Sequence, residues 1–218
     1  MPVIRIREHV NPLSHRYRLP TPPPPWENIY QDWSKPLSLD IGCGKGGYLL
    51  AIAASNPHWN YLGLEIRAPL VERALKLKTE TPLTNLHYLF CNVNVSLAQL
   101  LPPQKIHQVT IQFPDPWFKR RQHKRRTVQP QLINDLIPLL APNAQILLQS
   151  DIQPVAREML KLFEQNPHFV NMAGSGNFTS NYPPHVPTER EEYVLSQGGI
   201  VYRAHLQFKH HQAEPLDV

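Results

Sequence analysis

Apolar and polar positions alternate along residues 36–208, where short apolar runs are separated by segments with helical periodicity. The runs predict strands at Pro36–Ile41, Trp59–Glu65, Leu86–Cys91, Val109–Phe113, Gln145–Ser150, His168–Met172 and Ile200–Phe208. The periodic segments predict helices at Gly47–Ser55, Ala68–Leu77, Leu97–Leu101, Pro130–Leu140 and Gln153–Asn166. Such alternation is typical of an α/β fold, in which helices flank a parallel sheet. From Phe178 to the last strand the pattern predicts mainly loops.

The two ends of the chain differ in composition from this α/β region. Residues 1–25 contain four arginines and two histidines, end in the run Pro22–Pro25 and lack sustained apolar periodicity. Because a prolyl run cannot form a helix, we expect a flexible, extended N-terminal arm. The arm is either a disordered tail or a cationic segment that becomes ordered on RNA. Residues 26–210 are predicted to form a single domain, followed by a tail at 211–218.

Composition and charge narrow the classes of function. With 218 residues, 41% of them hydrophobic, the chain is long enough for one well-buried domain. No apolar run reaches the roughly 20 residues of a membrane span, and we expect no signal peptide and no membrane association. Cys43 and Cys91 lack metal-ligand spacing, so we expect a cytoplasmic protein without a metal site. The net charge of +5 is compatible with a polyanionic partner.

A glycine-rich loop follows the first predicted strand. Gly42, Gly44 and Gly47 have the G-x-G-x-x-G spacing, which lets a backbone turn sharply and approach a ligand. A phosphate-binding Walker loop is excluded, because Lys45 is followed by Gly46 rather than by the Ser or Thr that would bind magnesium.

Two acidic residues accompany this loop. Glu65 ends the second predicted strand, where a carboxylate can bind a ribose, so a dinucleotide is one possible ligand. Asp40 directly precedes the glycines, where it would repel a pyrophosphate but attract a cationic amino acid. Asp40 therefore favours the methionine moiety of S-adenosylmethionine, with a capping or structural role as the alternative.

The fourth predicted strand leads into the sequence FPDPWFK and then into a strongly basic run. Ligands of an open parallel sheet bind beyond the carboxyl ends of the strands, which would place Asp115 beside the cofactor. The flanking prolines are expected to stiffen this loop, as in-line placement of two reacting atoms requires. Six of the eight residues from Lys119 to Arg126 are cationic. Their position beside a catalytic loop favours contact with nucleic-acid phosphates over a merely solvated face.

The run FPDPWFKRRQHKRR, residues 113–126, closely resembles the signature of bacterial tRNA (guanine-N7)-methyltransferases. The resemblance extends from Leu39 to Arg203 and includes Gln149-Ser150-Asp151 and the segment PTEREE at 187–192. It implies a Rossmann-like class I methyltransferase, with a largely parallel seven-stranded sheet, helices on both faces and an antiparallel last strand. It also implies S-adenosylmethionine as cofactor, tRNA as partner, and N7 of guanosine 46 in the variable loop as acceptor.

Matching positions assign residues to three parts of the expected site. The cofactor residues are Asp40, Gly42, Gly44, Glu65, Asn92 and Asp115. The guanosine residues are Lys119, Asp151, Thr188, Glu189, Arg190 and Glu191. The residues on the RNA are Arg121, Lys124, Arg125 and Arg126. Two positions depart from the family pattern: Asn92 stands where aspartate is frequent, although its amide can still bind the adenine amino group, and Arg190 stands where an aromatic residue is usual.

The chemistry at guanine N7 needs no general base, because this nitrogen has an in-plane lone pair that can attack a sulfonium methyl group. Positive charge then moves to the purine, so Asp115 is expected to be the catalytic residue, orienting the reactants and stabilising that charge. The major groove of A-form RNA is too deep and narrow for side chains. The target base is therefore expected to lie in a loop or to be flipped out.

Three other functions fit parts of the pattern. A methyltransferase of the same fold could act on another RNA or base atom, since exocyclic amines are often methylated beside an Asn/Asp-Pro-Pro-aromatic loop. An NAD-dependent oxidoreductase could use the glycine loop. A non-catalytic RNA-binding module could keep the fold, although the presence of Asp40, Glu65, Asp115 and Asp151 together argues against it. The sequence leaves the oligomeric state undetermined.

Overall fold

The structure is a computed structural model that describes residues 10–81, 83–180, 182–183 and 186–209. The strands are β1 Leu37–Ile41, β2 Asn60–Glu65, β3 Leu86–Phe90, β4 Ile106–Gln112, β5 Leu140–Ser150, β6 Phe169–Asn171 and β7 Tyr202–Phe208. The α-helices are α1 Trp26–Ile29, α2 Gly47–Ser55, α3 Ala68–Thr79, α4 Val93–Leu100, α5 Pro130–Leu136, α6 Gln153–Glu164 and α7 Glu189–Ser196. Short 3₁₀ helices lie at His15–Tyr17, Arg120–Arg125 and Ile137–Leu139.

The seven strands form one sheet in the order β3-β2-β1-β4-β5-β7-β6. β1 to β5 run parallel, and β7 lies antiparallel between β5 and β6. The strand order reverses beside β1, so the helices that follow β1 and β4 leave the sheet in opposite directions and a crevice opens at the carboxyl ends of these strands. The predicted α/β Rossmann-like fold is confirmed.

Helices cover both faces of the sheet. On one face α4, α5 and α6 pack through apolar side chains such as Leu97, Leu132 and Phe163. On the other face α2 and α3 pack through Leu49 and Val71. β1 lies between the two layers and is buried at all five positions, as expected for a central strand of a parallel sheet.

Most predicted elements are present with shifted ends. β4 and β5 begin earlier than predicted, at Ile106 and Leu140, and α4 begins at Val93. The prediction of loops before the last strand was incomplete, because it missed α7. This helix has a recognisable start signal: the Thr188 hydroxyl accepts the N–H of Glu191 at 3.1 Å, and acidic residues fill the first turn.

The described part of the N-terminal segment, residues 10–25, contacts the α/β domain. Tyr17 is buried. Thr21 donates its backbone N–H to Ser96 Oγ (3.0 Å) and its hydroxyl to the Phe90 carbonyl (3.2 Å). A fully solvated arm would not make these contacts. Residues 1–9 and the tail at 211–218 lie outside the described residues, so the predicted domain boundaries stay predictions.

Candidate active site

A cleft of about 820 Å³ opens at the carboxyl ends of β1 and β4. The residues predicted from the sequence that line it are Asp40, Gly42, Gly44, Asp115, Asp151, Thr188, Glu189 and Arg190. A smaller pocket beside it is lined by Glu65, Asn92 and Asp115. Gly42, Gln112 and Asp115 belong to both linings, so the two spaces adjoin. The structure thus brings the expected cofactor residues and most of the expected guanosine residues to one place.

Asp40 is the buried carboxylate of the cleft. It is 3% exposed, and its Oδ1 accepts hydrogen bonds from Thr110 Oγ1 (2.6 Å) and Gln112 Nε2 (3.3 Å). Burial raises the pKa of Asp40 to about 6, although both hydrogen bonds oppose that rise. Because a desolvated carboxylate is stabilised by a nearby cation, Asp40 is suited to the positively charged methionine moiety of S-adenosylmethionine.

The glycine loop owes its shape to left-handed backbone conformations and to close packing. Gly44 has φ +56°, a region that favours glycine. Gly46 has φ +83°, and a Cβ there would lie 2.7 Å from the Tyr88 ring. Close packing against Tyr88 therefore requires glycine at position 46, which the G-x-G-x-x-G spacing does not include.

Glu65 ends β2 beside this loop and is 3% exposed. One carboxylate oxygen accepts the N–H of Gly44 at 3.1 Å. Arg67 donates to the same carboxylate from its backbone N–H (3.0 Å), its Nε (3.0 Å) and its Nη2 (3.1 Å). Arg67 lines both pockets and was not singled out from the sequence. A ribose bound to Glu65 would replace part of this Arg67 contact.

Asn92 lies where the N-terminal segment reaches the smaller pocket. Its Nδ2 donates to the carbonyl oxygens of Pro12 (3.1 Å) and Tyr17 (3.0 Å), and Val10 and Pro12 line the pocket. Both amide N–H groups therefore face the N-terminal segment. Oδ1 is the one side-chain acceptor of asparagine, so it is the atom suited to an adenine amino group. An aspartate could not make the two bonds to the segment.

The loop after β4 holds Asp115 between two strained residues. Phe113 has φ +48° and Trp117 has φ +43°, conformations that are uncommon for aromatic residues and concentrate at functional sites. The Phe113 N–H donates to the Gln149 carbonyl at 2.9 Å. Phe118, which belongs to the FPDPWFK motif but is not among the predicted site residues, lines the cleft and is 73% exposed.

The basic run divides into two groups. Lys119, Arg121 and Lys124 are exposed on the 3₁₀ helix or just before it. Arg125 instead lies over the Trp117 ring, with its guanidinium 5.1 Å from the ring centre. Arg126 has a 10% exposed side chain, pairs with Glu158 and donates to the Pro116 carbonyl. Two of the four predicted RNA-binding residues therefore contact the loop that holds Asp115.

The start of α7 forms one wall of the cleft and contacts the glycine loop. Glu189 accepts a hydrogen bond from Lys45 at 2.8 Å, and Arg190 forms an ion pair with Asp151. Glu191 differs from the expected guanosine contact, because it is 1% exposed and lies behind the wall. Its carboxylate accepts hydrogen bonds from Arg203 and Gln149.

Comparison with known proteins decides the family. A family model described as "Putative methyltransferase" matches residues 34–204. A tRNA (guanine-N(7)-)-methyltransferase of Synechococcus sp. (strain JA-3-3Ab) is 51% identical over 203 residues, which are 93% of this chain and 85% of that relative. The enzyme of the same name from Trichormus variabilis is 48% identical over 207 residues, 94% of this chain and 96% of that relative. The chain belongs to the tRNA (guanine-N(7)-)-methyltransferase family.

Solved structures agree with this family at the level of the fold. The 16S rRNA methyltransferase KamB is 14% identical, with a TM-score of 0.59 and coverage of 94% of this chain and 98% of that chain. A SAM-dependent O-methyltransferase from Thermotoga maritima is also 14% identical, with a TM-score of 0.53 and coverage of 83% and 62%. The fold is therefore that of class I methyltransferases.

The methyl donor of this methyltransferase is S-adenosylmethionine, and the site fits it. Buried Asp40 faces the cleft, and a Cβ built on Gly42 or Gly44 would meet no atom within 4 Å, so the loop leaves room for a ligand. Within the described ranges, no group of three or more His, Cys, Asp or Glu side chains could hold a metal ion. None of the helices described is both long and apolar enough to cross a membrane.

Proposed function

We propose that the protein transfers the methyl group of S-adenosylmethionine to N7 of a guanosine in tRNA, with guanosine 46 of the variable loop as the expected acceptor. The observation that carries this proposal is the position of Asp115. It lines both the pocket that contains Glu65 and Asn92 and the cleft that Asp151 also lines. A methyl donor in the first space and a base in the second would meet at this residue.

The smaller pocket and the glycine loop account for cofactor binding. Asp40 supplies negative charge for the methionine end, and Glu65 supplies acceptors for the ribose. Asn92 Oδ1 is suited to the adenine amino group, because Nδ2 is held by the N-terminal segment. The methionine, ribose and adenine parts of the cofactor thus have partners on three successive strands: Asp40 in β1, Glu65 at the end of β2 and Asn92 after β3.

The cleft wall and the exposed cations account for the acceptor. Asp151 supplies a carboxylate that can accept hydrogen bonds from the base edge or the ribose, and Phe118 offers an exposed ring on which a base can stack. Arg121 and Lys124 supply positive charge for the RNA backbone, and Lys119, the basic residue expected to contact the guanosine, is exposed just before them. A nucleotide with its phosphate on these cations would direct its base toward Phe118 and the cleft.

The reaction needs electrostatic help rather than proton transfer. Bound S-adenosylmethionine would supply a sulfonium methyl group; the N7 lone pair would form the new N–C bond and the sulfur would keep the electron pair of the broken S–C bond, so positive charge would pass to the purine. Asp40, Asp115 and Asp151 surround the cleft with carboxylates. Fixed negative charge near the purine stabilises the transition state more than the neutral starting base, and this difference lowers the barrier.

The test is incubation of the purified protein with unmodified tRNA transcript and methyl-labelled S-adenosylmethionine, followed by nucleoside digestion and mass spectrometry. The proposal predicts label in 7-methylguanosine, and no label when the variable-loop guanosine is replaced by adenosine. Label in another nucleoside would overturn the assignment of the acceptor atom.

Cys43 and Cys91 are free and buried, which agrees with our proposal that the reaction takes place in the reducing cytoplasm.

A further inference from the structure

A chain of hydrogen bonds connects the cofactor side of the cleft with α7. Gln112 Nε2 donates to Asp40 Oδ1 at 3.3 Å. Gln149 Nε2 donates to Gln112 Oε1 at 2.8 Å and to Glu191 Oε2 at 3.1 Å. Arg203 Nη2 closes the chain by donating to Glu191 Oε1 at 2.6 Å. The two carboxylates, one beside the glycine loop and one in α7, are therefore joined by two amide side chains.

The orientation of the Gln149 amide follows from its neighbours. Gln112 Oε1 and Glu191 Oε2 are both acceptors, so the NH₂ group of Gln149 must face them. Gln149 is 0% exposed, and its Oε1 accepts no hydrogen bond from the part of the chain that the structure describes. An unpaired buried acceptor costs free energy, which an apolar side chain at this position would avoid. Packing alone therefore does not explain a glutamine here.

We propose that Gln112 and Gln149 are positioning residues through which Glu191 in α7 controls the orientation and hydrogen bonding of the cofactor-facing carboxylate of Asp40. This inference rests on the proposed function, because the start of α7 lines the acceptor side of the cleft through Thr188, Glu189 and Arg190. RNA that shifts the start of α7 moves Glu191, and the two amides carry the change to Asp40. Glu191 then acts through other residues rather than by contact with the guanine.

Coupling of this kind is reciprocal. If bound tRNA raises the affinity for the cofactor, the cofactor must raise the affinity for tRNA by the same factor. We call the hydrogen-bonded series Asp40, Gln112, Gln149 and Glu191 the relay. The relay predicts that both increases in affinity disappear when Gln149 loses its amide. Without the amide, Gln112 has no donor to hold its Oε1, and its own N–H group is no longer fixed on Asp40.

The ionisation of Asp40 gives a second readout of the relay. The titratable side chains that interact with Asp40 are Cys43, Tyr48, Glu65, Tyr88 and Tyr182. Burial raises the pKa values of the cysteine and the three tyrosines, so they are neutral between pH 5 and 8. The Gln112 hydrogen bond opposes the increase in the pKa of Asp40. Disordering Gln112 should therefore raise that pKa further.

The experiment compares Gln149→Met with a matched control, Gln145→Met. Gln145 lies on the same strand but bonds to Asn143 and His205, outside the chain of bonds. The affinity for S-adenosylhomocysteine is measured by calorimetry from pH 5 to 8, with and without tRNA. For Gln149→Met we expect affinity at pH 7 lower by roughly three- to tenfold, the effect of one or two lost hydrogen bonds. We also expect a higher pH midpoint and loss of the effect of tRNA, while Gln145→Met behaves as the wild type.

Unchanged affinity, pH midpoint and tRNA effect in Gln149→Met would overturn the relay. If that variant does not fold, the Glu191→Gln variant tests the relay instead. This substitution keeps the size of the side chain and should shift S-adenosylhomocysteine binding in the same direction. A Glu191→Gln variant with normal S-adenosylhomocysteine binding but a raised KM for tRNA would show a direct contact with the acceptor and reject the relay. A wild type that binds S-adenosylhomocysteine but does not methylate tRNA would instead overturn the proposed function.

Discussion

Arg190 and Asp151 form an ion pair in the acceptor wall of the cleft, with 2.5 Å between Arg190 Nη2 and Asp151 Oδ2. Arg190 comes from the first turn of α7 and Asp151 follows β5, so the contact joins two distant parts of the chain. The Asp151 side chain is 17% exposed and that of Arg190 is 51% exposed. Partly exposed pairs contribute about 0–1 kcal/mol, so an incoming nucleotide can displace Arg190 from Asp151.

Removing Arg190 should therefore help the acceptor to bind. In Arg190→Ala we expect the KM for tRNA to fall by up to about fivefold, because Asp151 no longer has a competing partner. The kcat should change little. The control is the steady-state kinetics of Arg73→Ala, because this variant loses an exposed cation of α3 far from the ion pair in sequence. A KM that rises more than in Arg73→Ala would show that Arg190 itself binds the RNA.

Replacing Asp115 by asparagine should slow methyl transfer without abolishing cofactor binding. Asp115→Asn keeps the shape of the loop but removes the charge that stabilises the cationic purine. We expect roughly a 100-fold loss in the single-turnover rate, the size seen for other electrostatic groups in active sites. S-adenosylhomocysteine binding, measured in parallel, should stay close to that of the wild type. Full turnover in this variant would show that the charge of Asp115 is not used.

Cofactor binding should depend on the ionisation of Asp40. Its pKa is raised to about 6 by burial, so the carboxylate is mostly protonated below that pH. The α-ammonium group of S-adenosylhomocysteine favours the ionised form of Asp40, and the affinity for this ligand should therefore fall as the pH decreases through 6, approaching about tenfold per pH unit. In Asp40→Asn the affinity should be low and should not change over this range. A wild-type affinity that stayed constant from pH 8 to 5 would exclude Asp40 as the ligand's partner.

The same pKa predicts a stability effect of opposite sign to the effect on binding. A folded-state pKa above the ordinary value means that folding favours the protonated form, so ionised Asp40 destabilises the fold at pH values above 6. Asp40→Asn is therefore expected to melt at a higher temperature than the wild type at pH 7.5. The difference should shrink as the pH falls toward 4, which thermal unfolding at several pH values would test.

The exposed and the half-buried members of the basic run should behave differently. Arg121→Ala combined with Lys124→Ala should flatten the plot of log affinity for tRNA against log salt by about 0.7–0.9 per lost phosphate contact. Arg126→Ala should mainly lower the melting temperature, because it leaves Glu158 and the Pro116 carbonyl without their donor. A salt slope that the double variant leaves unchanged would mean that these two cations do not contact RNA.

Asn92 should be needed to hold the N-terminal segment. In Asn92→Asp a carboxylate would face the carbonyl oxygens of Pro12 and Tyr17, which repel it. We expect faster trypsin cleavage at the neighbouring arginines, while S-adenosylhomocysteine still binds through the remaining side-chain oxygens. Asn94→Asp is the matched control, because Asn94 donates to Thr127 instead. Equal cleavage rates for the two variants would disprove the anchoring role.

Local patterns were sufficient to predict much of the fold. Gly47–Ser55 has the predicted bounds, since a glycine turn precedes it and apolar residues repeat along it. α6 ends two residues before its predicted end, and its apolar residues recur at helical spacing, as Val155, Met159 and Phe163 show. α7 was missed because four of its eight residues are charged, so its signal lies in the Thr188 cap and not in an apolar stripe.

The site was predictable as far as its residues belong to short motifs. Asp40, Asp115 and Asp151 all line the cleft, because Asp40 lies next to the last residue of β1 and the other two follow the ends of β4 and β5. The contacts of Asn92 with Pro12 and of Gln149 with Glu191 could not be read from the sequence. They join residues that are far apart along the chain, and only the packed tertiary structure brings them together. The ion pair of Arg126 has the same origin, because its partner Glu158 lies on α6.

The two left-handed residues of the loop after β4 have a consequence for transplanting this motif. Phe113 and Trp117 each hold a conformation that costs on the order of 1–3 kcal/mol, which the surrounding fold must supply through contacts such as those of Gln149, Arg125 and Arg126. A synthetic peptide with the sequence FPDPWF would therefore relax to a different shape. Grafting the loop into an unrelated scaffold would transfer its amino-acid sequence but not its backbone conformation, unless the supporting arginines and the neighbouring strand were transferred with it.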